Sequence, residues 1–356
     1  MTYEELTTMT LHTLNEQAME EAQQHWDHIA KPLDGLGRFE NMIVQIAGMT
    51  GNPQVILDKK AVVPMCADNG IIAEGVSQSG AEVTAIVANN MANGISSVCR
   101  MSKVAGADVL PVDIGILNPE QIPLSPQLRG KRVRFGSRNF RYEPAMTRGE
   151  TLQAIQVGID MVKECKNQGY KILATGEMGI GNTTTSSAMA SMLLQIPVEQ
   201  VTGKGAGLKQ EGIRHKCQII AEAIQKYHLD SQDTFGILQT FGGYDIAGLV
   251  GLYIGGALYQ IPVVIDGIIA SVAALCAVRL RKEVRDFMLP SHLSGEPASV
   301  AIMKELGLTP VIDGQLALGE GTGAVMLFPL LDMVLQVYQE NTTFADIAIA
   351  DYEREE

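Results

Sequence analysis

Positive charge is what this chain has least to spare: 27 Lys and Arg stand against 40 Asp and Glu, a net charge of −13 over 356 residues. Nucleic acid and anionic membranes are held chiefly by basic side chains, so neither is an expected partner. An anionic small molecule would have to be gripped by backbone N–H groups and a few selected cations. Cysteine is sparse and scattered. Cys66, Cys99, Cys165, Cys217 and Cys276 are odd in number and none pair at metal-ligand spacing, so no disulfide framework is expected. A reducing cytoplasm is the simple inference. The N-terminus carries Glu4 and Glu5 and lacks the apolar core of a signal peptide. The six histidines form no H-x-x-x-H cluster, and His25 and His28 beside Trp26 read as an ordinary helix face. One uncharged run, 246–264, is nearly long enough to span a bilayer and contains Gly251-x-x-x-Gly255. Gln260 and Pro262 interrupt it, Asp266 follows, and no basic flank sets an orientation. A buried helix leading into a buried strand is the better reading.

Aromatics are only 5%, whereas apolar residues make up 46% and glycine (36) and methionine (17) are plentiful. That composition suits a parallel α/β protein with many tight strand–helix turns. Strands are expected at 60–67, 108–115, 171–175, 235–241 and 261–265, and helices at 39–49, 81–92, 147–165 and 216–227. An apolar helix over 325–338 is expected to break at Pro329. The fold predicted is a doubly wound, mainly parallel sheet flanked by helices. Acids follow two of these strands, at Asp68 and Asp113. Each is read either as a turn former or as a functional group at a strand's carboxyl end.

The stretch 170–190, YKILATGEMGIGNTTTSSAMA, organises the rest. A short apolar strand leads into a loop with Gly176, Gly179 and Gly181. Asn182 and Thr183 to Thr185 then offer side-chain oxygens where a helix begins. Glycines admit a ligand close to the backbone, and the first helical turn points its N–H groups at an anion. Gly176-x-x-x-x-Gly181-Asn182-Thr183 fits the P-loop pattern except that Asn replaces its Lys, which argues against an ATPase. The G-x-G-x-x-G order of a dinucleotide site is also missing. Glu177, inside the loop, would repel a second or third phosphate, so a monophosphate ester fits better. A glycine-rich turn without ligand is the alternative.

A second glycine-rich loop, 202–212, precedes a helix in which Lys216 reads as an exposed lysine or as the cation the first loop lacks. In LALGEGTGA (316–324), Glu320 stands between Gly319 and Gly321. It is either a solvent-facing turn acid or a general base exposed on bare backbone. Leu316, Leu318 and Met326 are expected to lower its surrounding polarity.

These pieces together resemble one family. KPLDGLGRFE (31–40), ADNG (67–70), GVSQSG (75–80), EPAMT (143–147), GEMGIGNTT (176–184), GKGAGL (203–208), VVIDG (263–267), SHLSGEP (291–297) and LGEGTGA (318–324) occur in family order over nearly the whole chain. The chain is similar to the nicotinate-nucleotide:5,6-dimethylbenzimidazole phosphoribosyltransferases of cobalamin lower-ligand assembly. The resemblance implies transfer of the 5-phosphoribosyl group of nicotinate mononucleotide to a benzimidazole-type base. The products are an α-riboside 5′-phosphate and nicotinate, with inversion at C1′, and no metal or cofactor is implied. It implies a homodimer, with a large α/β domain over 50–325 and a small helical domain from 1–49 and 326–356. It casts Glu320 as the base and puts Glu177, Asp266 and Gly267 near the nucleotide. Gly179, Ile180, Gly181, Asn182, Thr183, Gly205 and Lys216 would hold the 5′-phosphate, Ser294 would lie near departing nicotinate, and Ser79 and Leu318 would line the base pocket. Departures from the family pattern are Asn69, where His is frequent; the turn KPLDGLGR, where KPPGSLGR is usual; and Val87, near a position that is often Gln and faces the base pocket.

Overall fold

The computed structural model describes residues 1–117, 122–205 and 207–354. Ala206 of the second glycine loop and Glu355 and Glu356 of the acidic tail therefore lie outside the described residues. Nine strands are described: β1 (Lys60–Ala67), β2 (Ala107–Val109), β3 (Val112–Gly115), β4 (Arg129–Gly130), β5 (Ile172–Met178), β6 (Val263–Ile265), β7 (Met288–Pro290), β8 (His292–Ser294) and β9 (Ile312–Leu316). The main sheet has the order β4-β3-β1-β5-β6-β7, with β2 also pairing with β1, and every pairing is parallel. β8 and β9 form a separate parallel pair. The expected doubly wound α/β fold is the observed one.

The reason is visible in burial. β1 is buried at all eight positions, as a strand covered on both faces must be. Helices Arg148–Asn167 and Tyr244–Tyr259 lie together on one face. They approach closely because Gly158 and Gly251 sit in the contact: a Cβ on Gly158 would lie 2.0 Å from the Gly248 carbonyl oxygen. The uncharged run 246–264 is thus a buried helix, ending at Tyr259, followed by β6. Thr147 and Glu150 form a reciprocal capping box that starts helix Arg148–Asn167 where expected.

Four expectations need correction. Residues 235–241 are not a strand but lie in helix Thr234–Phe241, started by the Asp233 side chain accepting the Gly236 N–H at 2.9 Å. Phe235, Ile237, Leu238 and Phe241 are all buried and only Gly236 and Gln239 are partly exposed, so burial around most of so short a helix blurs its period. Residues 108–115 are two strands, divided at Leu110 and Pro111, because proline has no N–H for the ladder. β5 extends through Gly176 and Glu177 to Met178, so both belong to the strand end rather than the loop. Pro329 does not break its helix, which is continuous over Thr322–Glu340. That helix is the one described element long and apolar enough to cross a membrane by composition, but it packs against helices Ser97–Val104 and Arg38–Thr50 and against β5.

The chain ends meet. Helix Glu16–His28 packs on helix Arg38–Thr50, and Ile29 bridges to Thr343. His25 Nε2 bonds the Tyr338 carbonyl at 2.6 Å and His28 Nδ1 bonds Asp351 at 2.7 Å, so the two histidines have separate partners. The tail is not simply solvated: Arg354 reaches back to Asp27 and Asp34 at 2.8 Å each.

Candidate active site

In an open parallel sheet, ligands bind beyond the carboxyl ends of the strands where the chain order reverses. Here the chain leaves β1 for β3 on one side and returns to β5 on the other. The crevice is therefore bounded by the loops after β1 and β5. A cavity of about 280 Å³ opens there. Its wall includes Ser79, Glu177, Gly179, Ile180, Asn182, Thr183, Gly205, Asp266, Gly267, Ser294 and Leu318. Gly181 lines an adjoining pocket of about 60 Å³ together with Gly179, Thr183 and Lys204. A larger cavity of about 580 Å³ lies elsewhere, between His25, Val55, Ile56 and Tyr338. It lacks the glycine loops and convergent acids, so the smaller cavity is the candidate site.

The anion loop is built as its sequence requires. Gly181 takes φ 97° and ends the loop as N-cap of helix Asn182–Leu194, with no side chain capping the helix. In its first turn the Asn182 N–H donates to the Gly179 carbonyl at 3.1 Å and that of Thr184 to the Gly181 carbonyl at 3.0 Å, so the Thr183 N–H is the one without a partner among the described residues and open to a ligand. Lys216 is fully buried in helix Gln210–Tyr227 and donates from Nζ to Thr183 Oγ1 at 3.0 Å. It is not the exposed helix lysine that its local sequence resembles. Burial pushes its ammonium down to about 8, against the attraction of Glu296. The second loop folds over the same point: a Cβ on Gly205 would lie 2.7 Å from Thr183 Oγ1, and the Gly205 N–H donates to Glu296 at 3.1 Å.

The two acid-bearing motifs meet backbone to backbone. A Cβ on Gly176 would lie 2.6 Å from the Glu320 carbonyl oxygen, and one on Gly321 would lie 2.9 Å from that of Thr175. Gly319, Glu320 and Gly321 have φ of 86°, 62° and 95°. Three successive left-handed residues, one of them not glycine, mark a backbone held against its preference. Asp266 supports them from below. Its Oδ2 accepts the Gly321 N–H at 3.2 Å and its Oδ1 the Ala324 N–H at 2.9 Å, at the start of helix Thr322–Glu340. Leu318 and Met326 are 57% and 39% exposed, so they do not enclose the Glu320 carboxylate as expected. Its Oε2 instead accepts the Val98 N–H at 3.0 Å, in the first turn of helix Ser97–Val104, and Glu320 itself is not among the residues that line the cavity, although its neighbours Leu318, Gly319 and Thr322 are.

Glu177 is an acid raised by its surroundings. It faces the cavity, and desolvation pushes its carboxyl up to about 8, helped by the charges of Asp245, Asp266 and Glu320 and opposed by the Asn182 amide. Its Oε1 would lie 2.7 Å from a Cβ on Gly319, so a larger residue there would push the Glu177 carboxyl aside.

Other expectations sort cleanly. Asp113 accepts from Ile116 N at 2.9 Å and pairs with Arg132, and Asp68 accepts from Leu117 N at 2.7 Å. Both hold the loop after β3, and neither lines the cavity. Val87 does not line it either; Val83, one turn earlier, does. Asn69 donates to Asp245 Oδ2 at 3.3 Å. Sequence reasoning missed His292 and Glu296, which line the cavity, and Lys204, in the adjoining pocket. Ser291 Oγ donates to the Ile265 carbonyl at 2.5 Å, so it accepts from His292 Nδ1 at 3.0 Å and leaves Nε2 an acceptor. Burial lowers the His292 pKa and keeps the ring neutral. SHLSGEP was the signal for His292 and Glu296, read only as far as its second serine.

Comparison with known proteins points to one family. A phosphoribosyltransferase family model matches residues 11–349. Nicotinate-nucleotide–dimethylbenzimidazole phosphoribosyltransferase of Acetivibrio thermocellus is 41% identical over 347 residues, covering 98% of each chain. The protein of that name from Clostridium acetobutylicum is 43% identical over 342 residues, covering 95% of this chain and 96% of its own. The crystal structure of CobT from Thermus thermophilus superimposes with a TM-score of 0.88 at 33% identity, covering 94% of this chain and 99% of that one.

Proposed function

We propose a course for the transfer catalysed by this chain, which belongs to the nicotinate-nucleotide–dimethylbenzimidazole phosphoribosyltransferase family. Nicotinate mononucleotide and 5,6-dimethylbenzimidazole, or a related lower-ligand base, are its substrates. The 5′-phosphate sits on the first turn of helix Asn182–Leu194, with Gly179 to Thr183, Gly205 and Lys216 around it.

The acceptor ring stacks near Ser79 and Leu318. One ring nitrogen attacks C1′ as the C1′–nitrogen bond to nicotinate breaks on the opposite face, inverting β to α. The bonding pair returns to the nicotinate ring. Its pyridinium charge is quenched and no acid is needed. The other ring nitrogen gives up its proton to Glu320, which leaves Val98 N–H to take it. Positive charge grows on the ribose between the two events, and the carboxyls of Glu177 and Asp266 face it. Glu177 is raised in the free enzyme, so binding a pyridinium beside it favours loss of its proton. Ser294 contacts the departing nicotinate.

The observation that carries this reading is Glu320, held left-handed between two glycines against the strand that bears Glu177. A strained non-glycine residue persists where its neighbours over-determine it, and function is a common reason. The test is to mix the protein with nicotinate mononucleotide and dimethylbenzimidazole and measure free nicotinate and α-ribazole 5′-phosphate. A Glu320→Gln variant that binds both substrates should turn over about 10²–10⁴-fold more slowly. Near-full rate in that variant would remove Glu320 as the base.

The same reading assigns 1–49 and 326–356 to a small helical domain, with helix Thr322–Glu340 crossing the boundary. It assigns a homodimer in solution, and a cytoplasmic setting supported by five unpaired cysteines.

A further inference from the structure

Beneath the anion loop lies a carboxylate for which the transfer as written has no use. Asp245 is the second residue of helix Tyr244–Tyr259 and is fully buried. The chain makes room for it with glycine. A Cβ on Gly179 would lie 2.5 Å from Asp245 Oδ2, and one on Gly243 would lie 2.5 Å from Oδ1. Oδ2 accepts from Asn182 Nδ2 at 3.1 Å and from Asn69 Nδ2 at 3.3 Å, while Oδ1 has no hydrogen-bond partner among the described residues.

Asn182 also donates from Nδ2 to Glu177 Oε2. An amide nitrogen has two hydrogens, and here each goes to a different carboxyl. With both spent on acids, the amide cannot flip without presenting its oxygen to two other oxygens. Asn182 is thereby fixed, and so is the carboxyl of Glu177 at the cavity wall. We propose that Asp245 is a positioning residue for the phosphoribosyl transfer, acting through Asn182 to orient Glu177 and to govern whether Glu177 carries a proton.

The charges around Asp245 agree with that role. It faces Cys66 and Asp68 on the β1 side and Glu177 on β5, and helix Asn182–Leu194 brings only neutral Asn182 and, through Asn69, Thr185. Among these neighbours there is no cation to offset it. Its carboxyl is raised to about 6 by burial, with the Asn182 and Asn69 amides and the N–H groups of its own helix start drawing it down. Near neutral pH it is mostly anionic while Glu177 keeps its proton. Two acids linked through one amide titrate as a pair.

This inference rests on the proposed role of Glu177 in the transfer. The test compares Asp245→Asn and Asp245→Ala with the unsubstituted protein across pH. Asparagine keeps an acceptor for Asn182 but removes the charge. The limb of kcat/KM that Glu177→Gln abolishes should move about one pH unit lower in Asp245→Asn. Asp245→Ala should lose about 10²-fold in kcat, with asparagine restoring about tenfold of it. An unmoved limb with unchanged kcat in both variants would overturn the proposal. Should neither variant fold by circular dichroism, a carboxyl ¹³C titration of the unsubstituted protein decides, with Glu177→Gln assigning the signals. Two linked steps support the proposal, and independent steps at ordinary carboxylate pH overturn it. Failure of the unsubstituted protein to release nicotinate would instead sink the transferase course, and the titration would still report on the Asp245–Glu177 link.

Discussion

Lys216 Nζ lies 3.0 Å from Thr183 Oγ1, inside the protein and beside the first turn of helix Asn182–Leu194. A chain with 13 more acids than bases has thus buried an ammonium beside the glycine loop, with Lys204 lining the adjoining pocket, where the proposed course puts the 5′-phosphate. Burial is uncomfortable for it even with the attraction of Glu296, which is why its pKa falls to about 8.

Replacing that lysine should cost binding more than chemistry. Lys216→Met keeps the volume and removes the charge, and nucleotide KM should rise about 10–100-fold, the worth of a charge-assisted hydrogen bond. In the unsubstituted enzyme KM should rise above pH 8 as the free lysine deprotonates. Phosphate binding should take up a proton in that range, which calorimetry in two buffers of different ionisation enthalpy would reveal. No proton uptake near pH 8 would place the phosphate elsewhere.

The contact of Gly176 with the Glu320 carbonyl makes a second prediction. Gly176→Ala puts a methyl 2.6 Å from that oxygen, and backbone must shift. Stability should drop by about 1–3 kcal/mol, as for other overpacked sites. The kcat should fall at least about tenfold, with nucleotide KM changed less, because Glu320 moves while the anion loop stays. Steady-state kinetics beside a urea titration separates the two effects.

Asp266 should matter through geometry. Its two oxygens cap the Gly321 and Ala324 N–H groups, so Asp266→Ala uncovers the start of helix Thr322–Glu340. Loss of such a cap costs about 0.5–2 kcal/mol. Asp266→Asn retains one acceptor and should be intermediate in both melting temperature and kcat. If Ala and Asn variants melted alike, the capping account would be wrong.

The free protein should be more stable in mild acid than in mild base. Burial raises Glu177 to about 8, Asp68 to about 7 and Asp245 to about 6. Raised carboxyls bind more protons folded than unfolded. Their stabilising contribution is fully present below the unfolded values near 4 and is lost as pH climbs through 6 to 8. His292, lowered by burial, opposes them only below its ordinary value of 6.5. The melting temperature should therefore fall by a few degrees from about pH 6.5 to about pH 8. Glu177→Gln should flatten that slope, and an unchanged slope would show that Glu177 is not among the groups responsible.

Much of this molecule follows from local sequence. Buried parallel strands need unbroken apolar runs, so 60–67 and the start of β5 announce themselves. Glycines at 179 and 181 followed by Asn182 and Thr183 to Thr185 mark a helix start, although the side-chain oxygens offered there do not cap it. The acids and glycines of LGEGTGA are likewise legible, since left-handed backbone has few residue types to choose from. Tertiary structure alone decided the rest. Phe235 to Phe241 is helical because Asp233 caps it and its apolar residues all reach the core, and burial of most of its surface blurs the period that separates helix from strand. Lys216 became a buried cation bonded to Thr183 because its helix turns inward at that position. Glu177 became a raised acid because desolvation depends on what surrounds a carboxyl in space. The neighbours of Glu177 come from positions 182, 245, 266 and 319, which only the folded chain brings together.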